Sequence, residues 1–158
     1  MSTMNISLMT DLYELTMMQG YFKSGKNEKV VFDAFYRKNP CNGGYAICAG
    51  LEQIIDYIKN LRFSPEDVEY LRSLGIFEDD FLEYLRTFRF SGDIYAIPEG
   101  TVVFPREPLV KVVAPIMEAQ FVETALLTIL NHQSLIATRM PFEKFENCLQ
   151  PIATDRFS

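Results

Sequence analysis

The most apolar long stretch of the 158-residue chain, Ala114 to Ala137, is interrupted by Glu118, Gln120, Glu123, Asn131, His132 and Gln133. A membrane span needs about 18 or more consecutive apolar residues, so this stretch reads instead as a buried helix of a soluble fold. Pro115 suits its first turn, and the predicted helix runs over about Ile116–Met140. Such a helix demands partners. Apolar residues at 48% and charged residues at 23% can supply them, and they exclude a wholly disordered chain.

Upstream, the hydrophobic period changes several times. Thr10 is placed as an N-cap for a helix over Asp11–Ser24 that Gly25 stops. Leu12, Leu15, Met18 and Phe22 form one apolar stripe of that helix, and Tyr13, Met17 and Tyr21 form another beside it. Two stripes exceed what one buried face requires, so this helix is expected to meet two partners. Lys29–Arg37 alternates as a strand, with Val31, Asp33, Phe35 and Arg37 on one side. Asn39–Gly44 reads as a turn or loop, and Tyr45–Cys48 as a short apolar segment.

Leu51, Ile54, Ile55, Ile58 and Leu61 then repeat at helical spacing, and Ser64, Pro65 and Asp67 announce a helix closed by Gly75. A third short helix covers about Glu78–Phe88. Strands follow over Asp93–Ile97, Thr101–Phe104 and Leu109–Val113, the first two flanking a type I turn at Pro98-Glu99-Gly100. The expected architecture is α/β of the α+β type, a mixed sheet with packed helices rather than two stacked sheets. Residues 1–140 form one domain in this reading. Pro141–Ser158 lacks a sustained period and is expected to be a weakly ordered tail.

Several functional classes recede on composition. A net charge of −6 argues against a general nucleic-acid surface. Three cysteines, Cys41, Cys48 and Cys148, make no close pair and suggest neither a disulfide framework nor a zinc site. The acids Asp11 and Glu14 near the N-terminus are the wrong charges for a signal peptide, so a cytoplasmic setting is expected. Neither a phosphate-binding glycine loop nor a metal-binding histidine motif occurs, and no catalytic or metal residue is assigned. The only histidine, His132, admits two readings: a hydrogen-bonded residue at a packed interface, or a chemical group. The acids at Glu66, Asp67 and Glu69 and at Glu78, Asp79 and Asp80 sit in first helical turns and read as structural. Thr10, Asp11 and Tyr13 with Arg37 form the candidate binding cluster. Tyr13 offers a ring for stacking a flat heteroaromatic ligand and Arg37 could neutralise an anion, unless Tyr13 simply packs with Met17 and Tyr21 and Arg37 pairs with Asp33 or Asp11.

The strings TDLYELTM (10–17), FDAFYRKNP (32–40), GYAICAGLEQ (44–53), PEGTVVFPREPLVKV (98–112) and ILNHQSLIAT (129–138) together resemble the start of nicotinate phosphoribosyltransferases. The resemblance covers about residues 1–139. It implies the N-terminal α/β domain that precedes the irregular barrel of type II phosphoribosyltransferases. The activity it implies joins nicotinate to 5-phosphoribosyl 1-diphosphate, coupled to ATP hydrolysis, to give nicotinate mononucleotide for NAD biosynthesis. ATP and Mg²⁺ are implied for the full-length family and no cofactor for this chain. In the implied dimer, Tyr13 stacks the pyridine ring across the interface, with Thr10, Asp11 and Arg37 as neighbours, and His132 does not match the family's phosphorylated histidine. The pattern breaks at Arg139-Met140-Pro141. The 158 residues are therefore expected to be truncated before the catalytic barrel and inactive alone, with an exposed apolar face along Ile116–Ile136. Self-association or pairing with a full-length subunit is expected, with no nucleic-acid or membrane partner. The alternatives are a non-enzymatic interaction module and the product of a shortened or frame-shifted copy.

Overall fold

The computed structural model describes residues 6–40 and 43–139. The elements follow in the order α1 (Leu12–Ser24), β1 (Lys29–Ala34), β2 (Ala46–Ile47), α2 (Leu51–Asn60), α3 (Pro65–Ser73), α4 (Asp79–Thr87), β3 (Asp93–Ala96), β4 (Val102–Val103), β5 (Val110–Pro115), α5 (Ile116–Phe121) and α6 (Glu123–Arg139). The tail expected over Pro141–Ser158 lies outside the described residues, as do Cys41 and Cys148.

Strand β5 organises the molecule. Its alternating Val110, Val112 and Ala114 are buried, and it pairs antiparallel with β1 on one side and β3 on the other. Strands β2 and β4 form a separate antiparallel pair, Ala46 opposite Val103 and Ile47 opposite Val102. The single mixed sheet expected from the sequence is therefore replaced by two small antiparallel sheets. Pro98–Thr101 divides the third and fourth strands between them. Its hydrogen-bonded turn closes from the Thr101 N–H to the Pro98 carbonyl, one residue later than expected. Gly100 at φ +80° occupies its third position, which rules out type I, since that type needs negative φ there.

Two helix boundaries also differ from expectation. Asp11, not Thr10, is the N-cap of α1, because its extended backbone (φ −78°, ψ 144°) directly precedes helical Leu12. The expected long last helix divides at Val122. Backbone bonds from Val122 N–H to Glu118 O (3.3 Å) and from Leu126 N–H to Val122 O (3.0 Å) carry the ladder across the division. Pro115 caps α5 from outside rather than sitting in its first turn. Gly25 ends α1 and the capping box of Ser64 with Asp67 starts α3, both as the residues predict.

An aromatic cluster ties α5 to the loop before α3 and to the end of α4. Phe121 of α5 lies 5.2 Å from Phe63 and 5.4 Å from Phe88, centroid to centroid, within the range of favourable edge contacts. Met117, Ala119, Phe121, Val122, Ala125, Leu126 and Leu130 are all buried inside this chain. The open apolar face expected along Ile116–Ile136 is therefore mostly closed by the chain's own layers, with Ile136 the one large apolar residue of that range left exposed.

Helix α6 also completes β2. The Ser134 hydroxyl accepts the Ala49 N–H (2.9 Å) and donates to the Ala49 carbonyl (3.1 Å), while the Thr138 hydroxyl accepts the Ile47 N–H (2.8 Å). Residues four apart on one helical face thus act as a substitute neighbouring strand. Gly50 permits the approach. Its φ is +107°, and a Cβ there would come within 3.2 Å of Ile129 and Gln133.

Candidate functional site

Helix α1 separates its apolar residues sharply. Leu15 and Met18 are buried, whereas Leu12, Tyr13 and Met17 are 51%, 50% and 40% exposed. The spacing i, i+1 and i+5 keeps these three on one side. This outward row differs from both stripes read from the sequence: Leu12 leaves the first stripe to join it, and Tyr21 of the second is half-buried against the core. Tyr13 is in its first turn, with its ring half in solvent.

Thr10, Asp11 and Tyr13 are gathered at this helix start, but not as a cap. No side chain caps α1; the Thr10 hydroxyl instead donates to the carboxylate of Glu14. The Thr124 hydroxyl of α6 reaches the other Glu14 oxygen at 2.8 Å and Asp11 at 3.3 Å. Glu14 is fully buried. Burial pushes its carboxyl above the usual carboxylate range, the two threonine hydroxyls oppose that, and the Glu123 charge adds to it. The Tyr13 phenol is raised as well, first by desolvation and then by Glu123, Glu14 and Asp11. The ring thus stands in a negative collar.

Arg37 is elsewhere. Strand β1 ends at Ala34, so Arg37 leaves the strand it was expected to share with Asp33, and Asp33 instead lies 3.9 Å from Lys111. The Tyr36 hydroxyl donates to the Leu130 carbonyl of α6 at 3.3 Å, anchoring the segment that carries Arg37. Seven positions separate Leu130 from Glu123, about 10 Å along a helix, so the segment carrying Arg37 is anchored away from the Tyr13 cluster. The Arg106 N–H bonds the Tyr36 carbonyl at 2.8 Å, which sets exposed Arg106, with φ +70°, beside the exposed pair Arg37 and Lys38. Among the described residues Arg37 makes no ion pair. A cleft of about 480 Å³ lies between β1 and the last two helices, walled by Val31, Phe35, Ala119, Glu123, Leu126 and Leu127.

Sequence reasoning missed Glu14, Thr124 and Arg106. Glu14 could have been found, because it falls in register with Met18 and Phe22 at spacings of four and so lies on the inward stripe. No local signal places Arg106 against Tyr36. His132 is exposed on α6 and is not packed against the chain's own described residues. Among the described residues no three metal-ligating side chains converge, so these residues do not form a cage for Mg²⁺. No helix among them is long and apolar enough to cross a membrane.

Residues 8–131 match the nicotinate phosphoribosyltransferase N-terminal domain family. The chain is 46% identical over 133 residues to nicotinate phosphoribosyltransferase pncB2 of Mycobacterium tuberculosis, covering 84% of this chain and 29% of that protein. It is 46% identical over 136 residues to the Bacillus subtilis nicotinate phosphoribosyltransferase, covering 85% of this chain and 28% of the relative. The crystal structure of human nicotinic acid phosphoribosyltransferase superposes with a TM-score of 0.76 at 34% identity, over 82% of this chain and 27% of that one. The Pyrococcus furiosus nicotinate-nucleotide pyrophosphorylase shares the fold, with a TM-score of 0.57 at 22% identity over 80% of this chain and 25% of that one. The chain thus spans less than a third of the length of the two curated relatives named. Across that span, it belongs to the nicotinate phosphoribosyltransferase family and carries the family's N-terminal domain.

Proposed function

We propose that residues 1–140 are the ring-holding shell of a nicotinate phosphoribosyltransferase, with Tyr13 stacking the pyridine ring of nicotinate across a dimer interface. The observation that carries this is the half-exposed Tyr13, set between Leu12 and Met17 on the outer side of a helix whose inner side is packed. An aromatic ring on an otherwise apolar, uncovered row offers a flat face without needing its own side-chain acceptor.

Electrostatics constrain the pose. Asp11, Glu14 and Glu123 surround Tyr13, so the carboxylate of nicotinate must point away from α1 toward cations supplied by an opposing surface. Thr10 and Asp11 shape this edge rather than bind the anion. Arg37, with Lys38 and Arg106 beside it, forms an exposed cationic edge and suits the diphosphate of 5-phosphoribosyl 1-diphosphate. Displacement at the anomeric carbon develops positive charge on the ribosyl ring and negative charge on departing diphosphate, and Mg²⁺ would screen the latter in the full family. The described residues provide stacking and one cationic edge. The groups that would handle ATP, Mg²⁺ and histidine phosphorylation belong to the barrel of the family.

The 158 residues alone are therefore expected to form no nicotinate mononucleotide from nicotinate, 5-phosphoribosyl 1-diphosphate, ATP and Mg²⁺. Mixing them with a full-length family enzyme whose own stacking aromatic is replaced by alanine separates the readings. Restored product formation that is lost again with Tyr13→Ala supports a ring lent across the interface. Association without restored turnover favours an interaction module, and turnover by the chain alone overturns the proposed incompleteness.

A further inference from the structure

We propose that Glu14 is the positioning residue for Tyr13, tying the uncapped first turn of α1 to Thr124 at the start of α6. This role rests on the reading of Tyr13 as the stacking ring.

Three observations converge on it. A helix start normally has a side chain satisfying its free N–H groups, and α1 has none. The outer row of Leu12, Tyr13 and Met17 is uncovered, so nothing on that side restrains the ring. The restraint comes from beneath: Glu14, adjacent to Tyr13 and fully buried, takes hydroxyl donors from Thr10, just before the helix, and from Thr124, on another helix. Without these donors nothing would replace the hydration a buried carboxylate gives up on folding, so the arrangement is strongly specified. The Tyr57 hydroxyl of α2 is buried with no hydrogen-bond partner among the described residues, and its phenol is raised first by burial and then by the Glu14 charge. The titratable groups around Glu14 are Asp11 at the N-cap, Tyr13 from α1, Tyr57 from α2 and Glu123 from α6, all of them acids.

Protonated, Glu14 can donate to one threonine and accept from the other. Ionised, it adds a second charge beside Asp11 and Glu123. Its proton is bound more tightly in the folded chain than in the unfolded one. The stability it contributes is therefore complete below the ordinary glutamate range, about pH 4.3, and is lost as pH rises through its raised folded value.

The test uses the full chain labelled with 3-fluorotyrosine, the Tyr13 fluorine resonance being assigned by its absence in Tyr13→Phe. In the unsubstituted chain that resonance should move with pH at a midpoint above the usual carboxylate range. Glu14→Gln should keep the low-pH resonance position and abolish the step. Asp11→Asn and Glu123→Gln should displace the midpoint and retain it. Glu14→Ala should shift or broaden the resonance, while Leu15→Ala, which loosens the adjacent core position, should leave it in place. A Tyr13 resonance whose pH step survives in Glu14→Gln overturns the proposal, as does Leu15→Ala displacing it as far as Glu14→Ala. If Glu14→Ala fails to fold, the glutamine variant decides alone. Failure of the stacking reading looks different: nicotinate affinity unchanged in Tyr13→Ala, with the Glu14-dependent step intact.

Discussion

Helices α1 and α5 both carry more apolar residues than a single buried face needs, yet their environments are opposite. Around α5, Met117, Ala119, Phe121 and Val122 are all enclosed by the chain's own sheet and helices. On α1, only the stripe of Leu15 and Met18 is enclosed, and Leu12, Tyr13 and Met17 stay in solvent. Apolar surplus therefore has two meanings. In α5 it marks an element in the middle of the layers, whereas in α1 it leaves an exposed apolar row, the one that the proposed function assigns to a ligand.

Substitutions can break this contrast, and the largest effect belongs to α5. Phe121→Ala removes a fully buried ring contacting Phe63 and Phe88 and should cost about 3–5 kcal/mol in urea denaturation. A loss below 1 kcal/mol would mean that α5 is not the core element described. Ser134→Ala should cost about 1–3 kcal/mol, because it strips the Ala49 N–H of its acceptor, and hydrogen exchange at that amide should accelerate.

The helix starts sharpen the comparison further. Ser64→Ala destroys the capping box of α3 and should lower stability by about 1 kcal/mol, whereas Asp11→Ala should cost clearly less in the same thermal melts, since Asp11 makes no cap bond. Smallest of all, Leu12→Ala and Met17→Ala should each stay within about 0.5 kcal/mol of the unsubstituted chain in urea denaturation, as exposed positions do. Losses comparable to that of Phe121→Ala would make the outer row of α1 a core face after all.

The legibility of these features follows the range of the interactions involved. The capping box and the stop at Gly25 are local and can be read from neighbouring residues, and so can the surplus of apolar residues on α1, though Leu12 and Tyr21 change sides from the stripes that spacing assigns them. So can the element order, apart from the division at Val122, where no proline or glycine marks the change. Strand partners are not local. Two strands flanking a tight turn invite a hairpin, but Val102 and Val103 pair with Ala46 and Ile47 instead, because β5 offers β3 a longer partner. Tyr13 was legible as an aromatic residue on a surplus stripe. The carboxylate beneath it was hidden by an assumption that charged residues lie outside, and its partner Thr124 is 110 positions away. Arg37 was placed on a strand by alternation that outlasts the strand itself: exposure keeps alternating through Arg37, while pairing ends at Ala34.

The claim on which the rest depends is that Tyr13 serves a ligand and not the fold. Its most direct test is to measure folding stability and nicotinate affinity side by side for Tyr13→Ala in a full-length family enzyme that carries this domain. The account predicts an unfolding midpoint unchanged within error and nicotinate bound about tenfold more weakly or worse, a loss of about 1.4 kcal/mol. A lowered midpoint with undiminished nicotinate affinity would contradict it.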